Sequence, residues 1–184
     1  MSQPPVSPHS PSLDSRINAL MDSSPVTGKW GGPTGTGVTL TYATKGPGST
    51  YEPNYSPLLE PERGQDIIPN EAQAAAFRAA VQSWAAVANI NVIEVAENAN
   101  TTADIRFAYS RAIDVLELGS DFTFNIFAFA YLPQSTYLGG DIWMDPDTQG
   151  LDYSVSTTGK GHFLLLHELG HAMLGLTDVS AEAG

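Results

Sequence analysis

The 184-residue chain has no cysteine. Disulfide frameworks and cysteine-based zinc fingers are therefore excluded, and any metal held by the protein must use histidine or carboxylate. Basic residues are scarce: 8 Lys+Arg stand against 20 Asp+Glu, a formal net charge of −12. A chain this acidic repels phosphate backbones and anionic lipid, so neither nucleic acid nor a membrane is an expected partner. No apolar run approaches the ~20 residues that span a bilayer. The N-terminal stretch MSQPPVSPHSPSLDS has no basic start and no apolar h-region, so it does not read as a secretory signal peptide. Its Pro/Ser content predicts a disordered tail over residues 1–12, with His9 solvated.

The remainder suffices for one domain. Hydrophobic residues make up 42% of the chain, enough for a core over residues 13–184. Leu13, Ile17, Leu20 and Met21 recur at helical spacing and predict a short amphipathic helix over 13–22. VTLTYA (38–43) reads as a strand and the Pro/Gly-containing residues 44–69 as a long loop. Asn70 is a plausible N-cap for a helix from Glu71 to about Ala88, with Phe77, Val81, Trp84 and Ala85 on one face. INVIEV (90–95), DIRFAY (104–109), FAFAYL (127–132) and DIWMD (141–145) read as further strands. A closing helix runs from about Gly159 to Leu174. This order implies an α+β or α/β layer on one twisted sheet, with no internal repeat.

The chemistry is concentrated in HFLLLHELGHAMLGLTD, residues 162–178. His167 and His171 are four residues apart on the closing helix, about 40° apart around its axis, so both imidazoles can reach one ion. Glu168 can contact water beside that ion without ligating it, the position of a general base. An isolated HExxH also occurs by chance in buried helices. Here two of the chain's four histidines fall in it, and a metal gives these polar groups a reason to stand on so apolar a helix. His162 lies about 140° round from His167 and suits a helix-start or surface role rather than ligation.

HELGHAMLGL resembles the zinc helix of the serralysin family of metzincin metalloproteases, whose pattern is HExxHxxGxxH followed by a Met-turn. The likeness extends upstream. INALMDSSPVTGKWGG and VTLTYA resemble the family's opening helix, its Lys-Trp-Gly element and its first strand. FRAAVQSWAAVANINVIEV resembles the first long helix and second strand; ADIRFAYS, AFAYLPQ and GGDIWMD resemble the next three strands. The resemblance implies a metzincin-type twisted five-stranded mixed sheet with two long helices, the second carrying HExxH. It implies a secreted zinc endopeptidase with one catalytic ion, a peptide or protein substrate and a monomeric state. Ala128, Phe129, Ala130, Tyr131 and Leu132 would form the edge strand that receives the substrate, the alternative being an ordinary core strand.

The sequence departs from the family pattern near its end. Gly175 falls one residue late, and Thr177-Asp178 stands where the third histidine is expected. Asp178 can complete the ligand set only if the helix ends near Gly175, because continued helix would carry it roughly 10 Å along the axis from His171. The alternative is a solvated carboxylate with the third ligand lost, Glu182 being a distant substitute. Neither a Met-turn nor glycine-rich calcium repeats are present, so residues 13–184 read as the N-terminal part of such a catalytic domain. Two functions follow: a zinc endopeptidase, or a degenerate or truncated metzincin-fold protein that binds zinc weakly or not at all and serves as a peptide- or inhibitor-binding module. A gluzincin-type hydrolase would need a glutamate ligand well downstream, which the chain does not carry.

Overall fold

The structure, a computed structural model, describes residues 3–21, 28–114, 126–148 and 159–178. Its centre is a mixed five-stranded sheet of β3 (Val38–Thr44), β4 (Ile90–Glu94), β5 (Ile105–Tyr109), β6 (Ala128–Ala130) and β7 (Asp141–Met144), in the order β4-β3-β5-β7-β6. β3 runs parallel to β4 and β5, and β5 parallel to β7. Only β6 is antiparallel, pairing Ala128 with Met144 and Ala130 with Ile142 at the sheet edge. Two helices of 15 residues, α3 (Glu71–Ala85) and α4 (Lys160–Leu174), complete the α+β architecture expected from the sequence.

Alternation along the strands divides the molecule into two faces. Tyr42, Ile105, Phe107, Tyr109, Ile142 and Met144 meet Phe77, Val81, Leu165 and Leu169 of the helices in the main core. The opposite face carries a smaller cluster of Tyr55, Ala108 and Trp143. On that face lie Arg106 and Asp141, both buried, with Arg106 Nε 2.8 Å from Glu97 Oε1 and Arg106 Nη1 3.5 Å from Asp141 Oδ2. Burial outweighs the Arg106 charge and pushes the Asp141 carboxyl up to about 7. α3 starts where predicted, on an Asn70/Gln73 capping box. It is joined to α4 by the Trp84 indole, which donates to Leu166 O at 2.9 Å.

The N-terminal region differs from expectation. Within the segment whose composition suggests a disordered tail, Val6–Ser7 forms β1, antiparallel to β2 (Lys29–Trp30). Ser7 Oγ donates to Gly31 O, Gly31 N–H donates to Pro5 O, and Val6 packs on the core; such long-range partners cannot be read from local composition. His9 is half-buried rather than solvated, and its Nε2 has no hydrogen-bond partner among the described residues. The amphipathic helix shrinks to α1 (Ser15–Asn18), capped by Asp14, and it leaves Leu13 and Ile17 exposed. Its spacing is undone by Met21, which is drawn into a bridge with Leu176. The 44–69 loop contains a short helix, α2 (Glu60–Arg63).

Candidate metal centre

α4 has the apolar content to lie under the sheet, and Leu165, Leu169, Ala172 and Met173 are its buried side. Its two histidines lie one turn apart on the side facing the cleft. His167 Nε2 and His171 Nε2 are 3.1 Å apart. The helix then stops at Gly175, whose φ of 68° and ψ of 28° place it in the left-handed region. Gly175 N–H closes on His171 O at 2.9 Å, the αL form of helix termination. Glycine is required there twice over: a Cβ would need the disfavoured φ and would lie 1.9 Å from Gly28 O.

That stop meets the geometric condition set by the sequence. Reversal at Gly175 returns the chain toward His171 and brings Asp178 Oδ1 to 3.4 Å from His167 Nε2 and 3.7 Å from His171 Nε2. The extra residue before the glycine is absorbed by helix, since Leu174 is still helical. Asp178 therefore stands three residues after Gly175, the same interval as between glycine and third histidine in HExxHxxGxxH.

These three donors fit a zinc ion by geometry and by chemistry. Donors bound at about 2.0–2.1 Å in tetrahedral directions lie roughly 3.3–3.4 Å from one another. The separations of 3.1, 3.4 and 3.7 Å are close to that figure. Two imidazoles and one carboxylate are an ordinary zinc donor set. His171 Nδ1 lies 2.6 Å from Leu176 O. A ring nitrogen facing a carbonyl carries the proton, which leaves the Nε2 lone pair facing the site. Among the described residues no other group of His, Cys, Asp and Glu converges in this way.

Glu168 is only 3% exposed, with burial and then the nearby Asp178 charge raising its carboxyl to about 8. It joins His167, His171, Thr177 and Asp178 in lining a cleft of about 360 Å³, whose other wall is Ala128, Phe129, Ala130 and Leu132. The predicted edge-strand residues thus flank the donors, with one exception. The Tyr131 side chain turns with that of Phe129 to the opposite face, where both pack on the Tyr55/Trp143 cluster and the Tyr131 hydroxyl donates to the buried Glu60 carboxylate; of the two, only Phe129 also lines the cleft. Asp145 N–H bonds Phe127 O and Tyr131 N–H bonds Asp141 O, so Phe127 and Tyr131 direct these backbone groups inward. Antiparallel alternation then aims the N–H and C=O of Ala128 and Ala130 outward, away from β7, along the edge of the sheet formed by the described residues.

Of the other sequence candidates, Glu182 lies outside the described residues. His162 stands in the first turn of α4, away from the donors, and is buried with Nδ1 unpartnered among the described residues. Sequence reasoning missed the supports. These are the Leu176 carbonyl on His171, the Trp30 indole on Ala172 O at 2.9 Å, and the pairing of residues 20–21 with 176–177. Backbone acceptors carry no residue-type signal; the Lys-Trp-Gly element was the only hint of Trp30.

Comparison with known proteins is consistent with this geometry. The sequence profile of the Peptidase_M10 family, Matrixin, matches residues 58–183. The chain is 34% identical over 105 residues to a serralysin of Photorhabdus laumondii subsp. laumondii, covering 56% of this chain and 20% of that protein. It is 36% identical over 107 residues to a serralysin of Photorhabdus luminescens, covering 56% and 19%. With Serralysin C of Dickeya chrysanthemi it shares 33% identity over 104 residues, covering 56% and 20%. The chain thus spans about a fifth of the length of these curated relatives.

Proposed function

The chain belongs to the matrixin family of peptidases, and from that premise we propose that it is a zinc-dependent endopeptidase with Glu168 as its general base. The observation that supports this reading most is the convergence of His167, His171 and Asp178 donor atoms, all within 4.8 Å of one another, on the wall of a cleft opposite β6, the edge strand of the sheet among the described residues. Those three residues would hold one zinc ion. Bound zinc would supply Lewis acidity, polarising a carbonyl and acidifying water.

The remaining work falls to the chain itself. Ala128 and Ala130 offer outward backbone groups that an extended peptide can pair with as an added strand. Such pairing lays the peptide along the cleft, between β6 and the α4 histidines. Glu168 stands beside His167 at the cleft wall; the positive charge of a bound zinc ion would oppose the effect of burial and favour its carboxylate, which would take a proton from the attacking water and deliver it to the departing amine. The burial of Glu168 limits its contact with bulk water to the cleft side. As for its serralysin-named relatives, we propose action outside the cell, on protein or peptide substrates, by a monomer. No helix among the described residues is long and apolar enough to cross a membrane.

A second reading, a peptide-binding module that holds zinc weakly, draws on Asp178, whose side chain is 75% exposed. Hydrolysis of a casein-type substrate by the zinc-loaded full chain separates the two. Glu168→Gln is expected to slow cleavage by about 10²- to 10⁴-fold, the usual contribution of a positioned general base, with zinc content unchanged. Equal rates for the two proteins would sink the mechanism. Peptide binding with no zinc and no cleavage would establish the module instead.

A further inference from the structure

Asp178 has no neighbour in its own helix to hold it, because α4 has ended three residues earlier at Gly175. Its side chain is largely exposed, and its nearest polar partners are the two histidines themselves. What fixes the backbone before it comes from more than 140 residues away in sequence. Leu176 forms an antiparallel bridge with Met21, and Thr177 N–H donates to Leu20 O at 2.9 Å. Gly28 O sits against the Gly175 α-carbon so closely that no side chain could intervene. The buried Trp30 indole donates to Ala172 O, one of the terminal helix carbonyls left without an intrahelical donor. Gly28 N–H also reaches Pro133 O at 3.3 Å, just beyond the edge strand on the far side of the cleft.

We propose that Leu20–Met21 and Gly28–Trp30 form a clasp that positions Asp178 for the metal, so that zinc affinity is set in part by this N-terminal backbone. The proposal rests on the three-donor reading given above. A carboxylate on a free strand would sample many orientations, and binding a metal would have to restrict them. A clasp that has already fixed Leu176 and Thr177 removes much of that cost before metal arrives. Thr177 and Trp30 are positioning residues in this scheme, since neither donates to the ion.

Zinc affinity, measured on the full chain by competition with a chromophoric chelator, tests the idea in a double-mutant cycle with Asp178→Ala. Thr177→Pro removes the N–H that binds Leu20 O and is expected to weaken zinc about 10- to 100-fold, the range typical of outer-shell supports. Trp30→Phe keeps an aromatic, though smaller, side chain in the core, removes the indole N–H, and is expected to weaken zinc by about threefold or more on the same grounds. In the Asp178→Ala background neither change is expected to shift affinity by more than about twofold, because the group they position is gone. Should Thr177→Pro fail to fold, the Trp30→Phe cycle decides alone. Unchanged affinity in folded variants would overturn the clasp, as would an equal loss with and without Asp178. If Asp178→Ala weakens zinc but the positioning variants do not, the clasp fails and the ligand assignment stands. If Asp178→Ala itself leaves zinc affinity untouched, the three-donor reading has failed and the clasp with it.

Discussion

α3 and α4 are both 15 residues long and pack side by side on one sheet, yet they are built on opposite principles. α3 follows the local rules. It opens on a reciprocal capping box, buries Phe77, Ala80 and Val81, and turns Arg78 outward to Glu71 and Glu94. α4 breaks them. It starts at Gly159 with no side-chain cap and buries a carboxyl in Glu168; its glycine end follows the local rule, but that glycine is pressed against a distant backbone. Local rules broken together on one helix, while its neighbour keeps them, mark a segment shaped by chemistry rather than by stability. The apolar bed of α4 and its bond from Trp84 of α3 offset what the site costs.

The contrast can be broken most sharply at the histidines. His171→Ala removes a donor and its bond to Leu176 O, and is expected to weaken zinc by more than the roughly 100-fold seen for outer-shell changes, with little loss of stability in metal-free protein. Phe77→Ala should do the reverse. Its ring is fully buried between the helix and Phe107, so truncation is expected to cost about 3–5 kcal/mol in a urea melt, with zinc affinity unchanged while the protein remains folded. A zinc site that weakened in step with Phe77→Ala would mean that the two helices do not divide their roles.

A third test turns to a buried carboxyl that lies away from α4. Asp141 lies on the other face of the sheet, and its carboxyl titrates near 7 rather than at the usual 3.8, chiefly because it is buried. Below pH 3.8 both folded and unfolded forms carry the proton. As pH rises toward 7 the unfolded chain releases it and the folded chain keeps it, so stability falls across that window, by about 1.4 kcal/mol per pH unit at the steepest. Urea melts between pH 4 and pH 8 should show the decline, and Asp141→Asn should flatten it. The same slope in the variant would remove Asp141 as its source. The smallest effect belongs to the α3 cap, where Asn70→Ala is expected to cost about 1 kcal/mol and to leave zinc alone.

How much of this was legible in the sequence follows from how local each cause is. The Asn70 cap, the Phe77/Val81 face and the alternating strands rest on near neighbours, and their elements formed within a few residues of expectation. The pairing of His167 with His171 was readable because helical geometry alone puts residues four apart on one face. Asp178 was legible only as a condition on Gly175, since nothing within the helix says where the chain goes next. The N-terminal segment was least legible. Composition suggested disorder and helical spacing suggested an amphipathic helix; pairings with residues 29–30 and 176–177 decided otherwise. Long-range backbone bonds of this kind leave no mark in composition or periodicity.

The most direct test is anomalous scattering at the zinc edge from crystals of the zinc-loaded full chain. The expected result is a single strong peak bounded by His167 Nε2, His171 Nε2 and a carboxylate oxygen of Asp178, each at about 2.0–2.2 Å. A peak held by the two histidines with Asp178 turned into solvent, or no peak on α4 at all, would contradict the assignment.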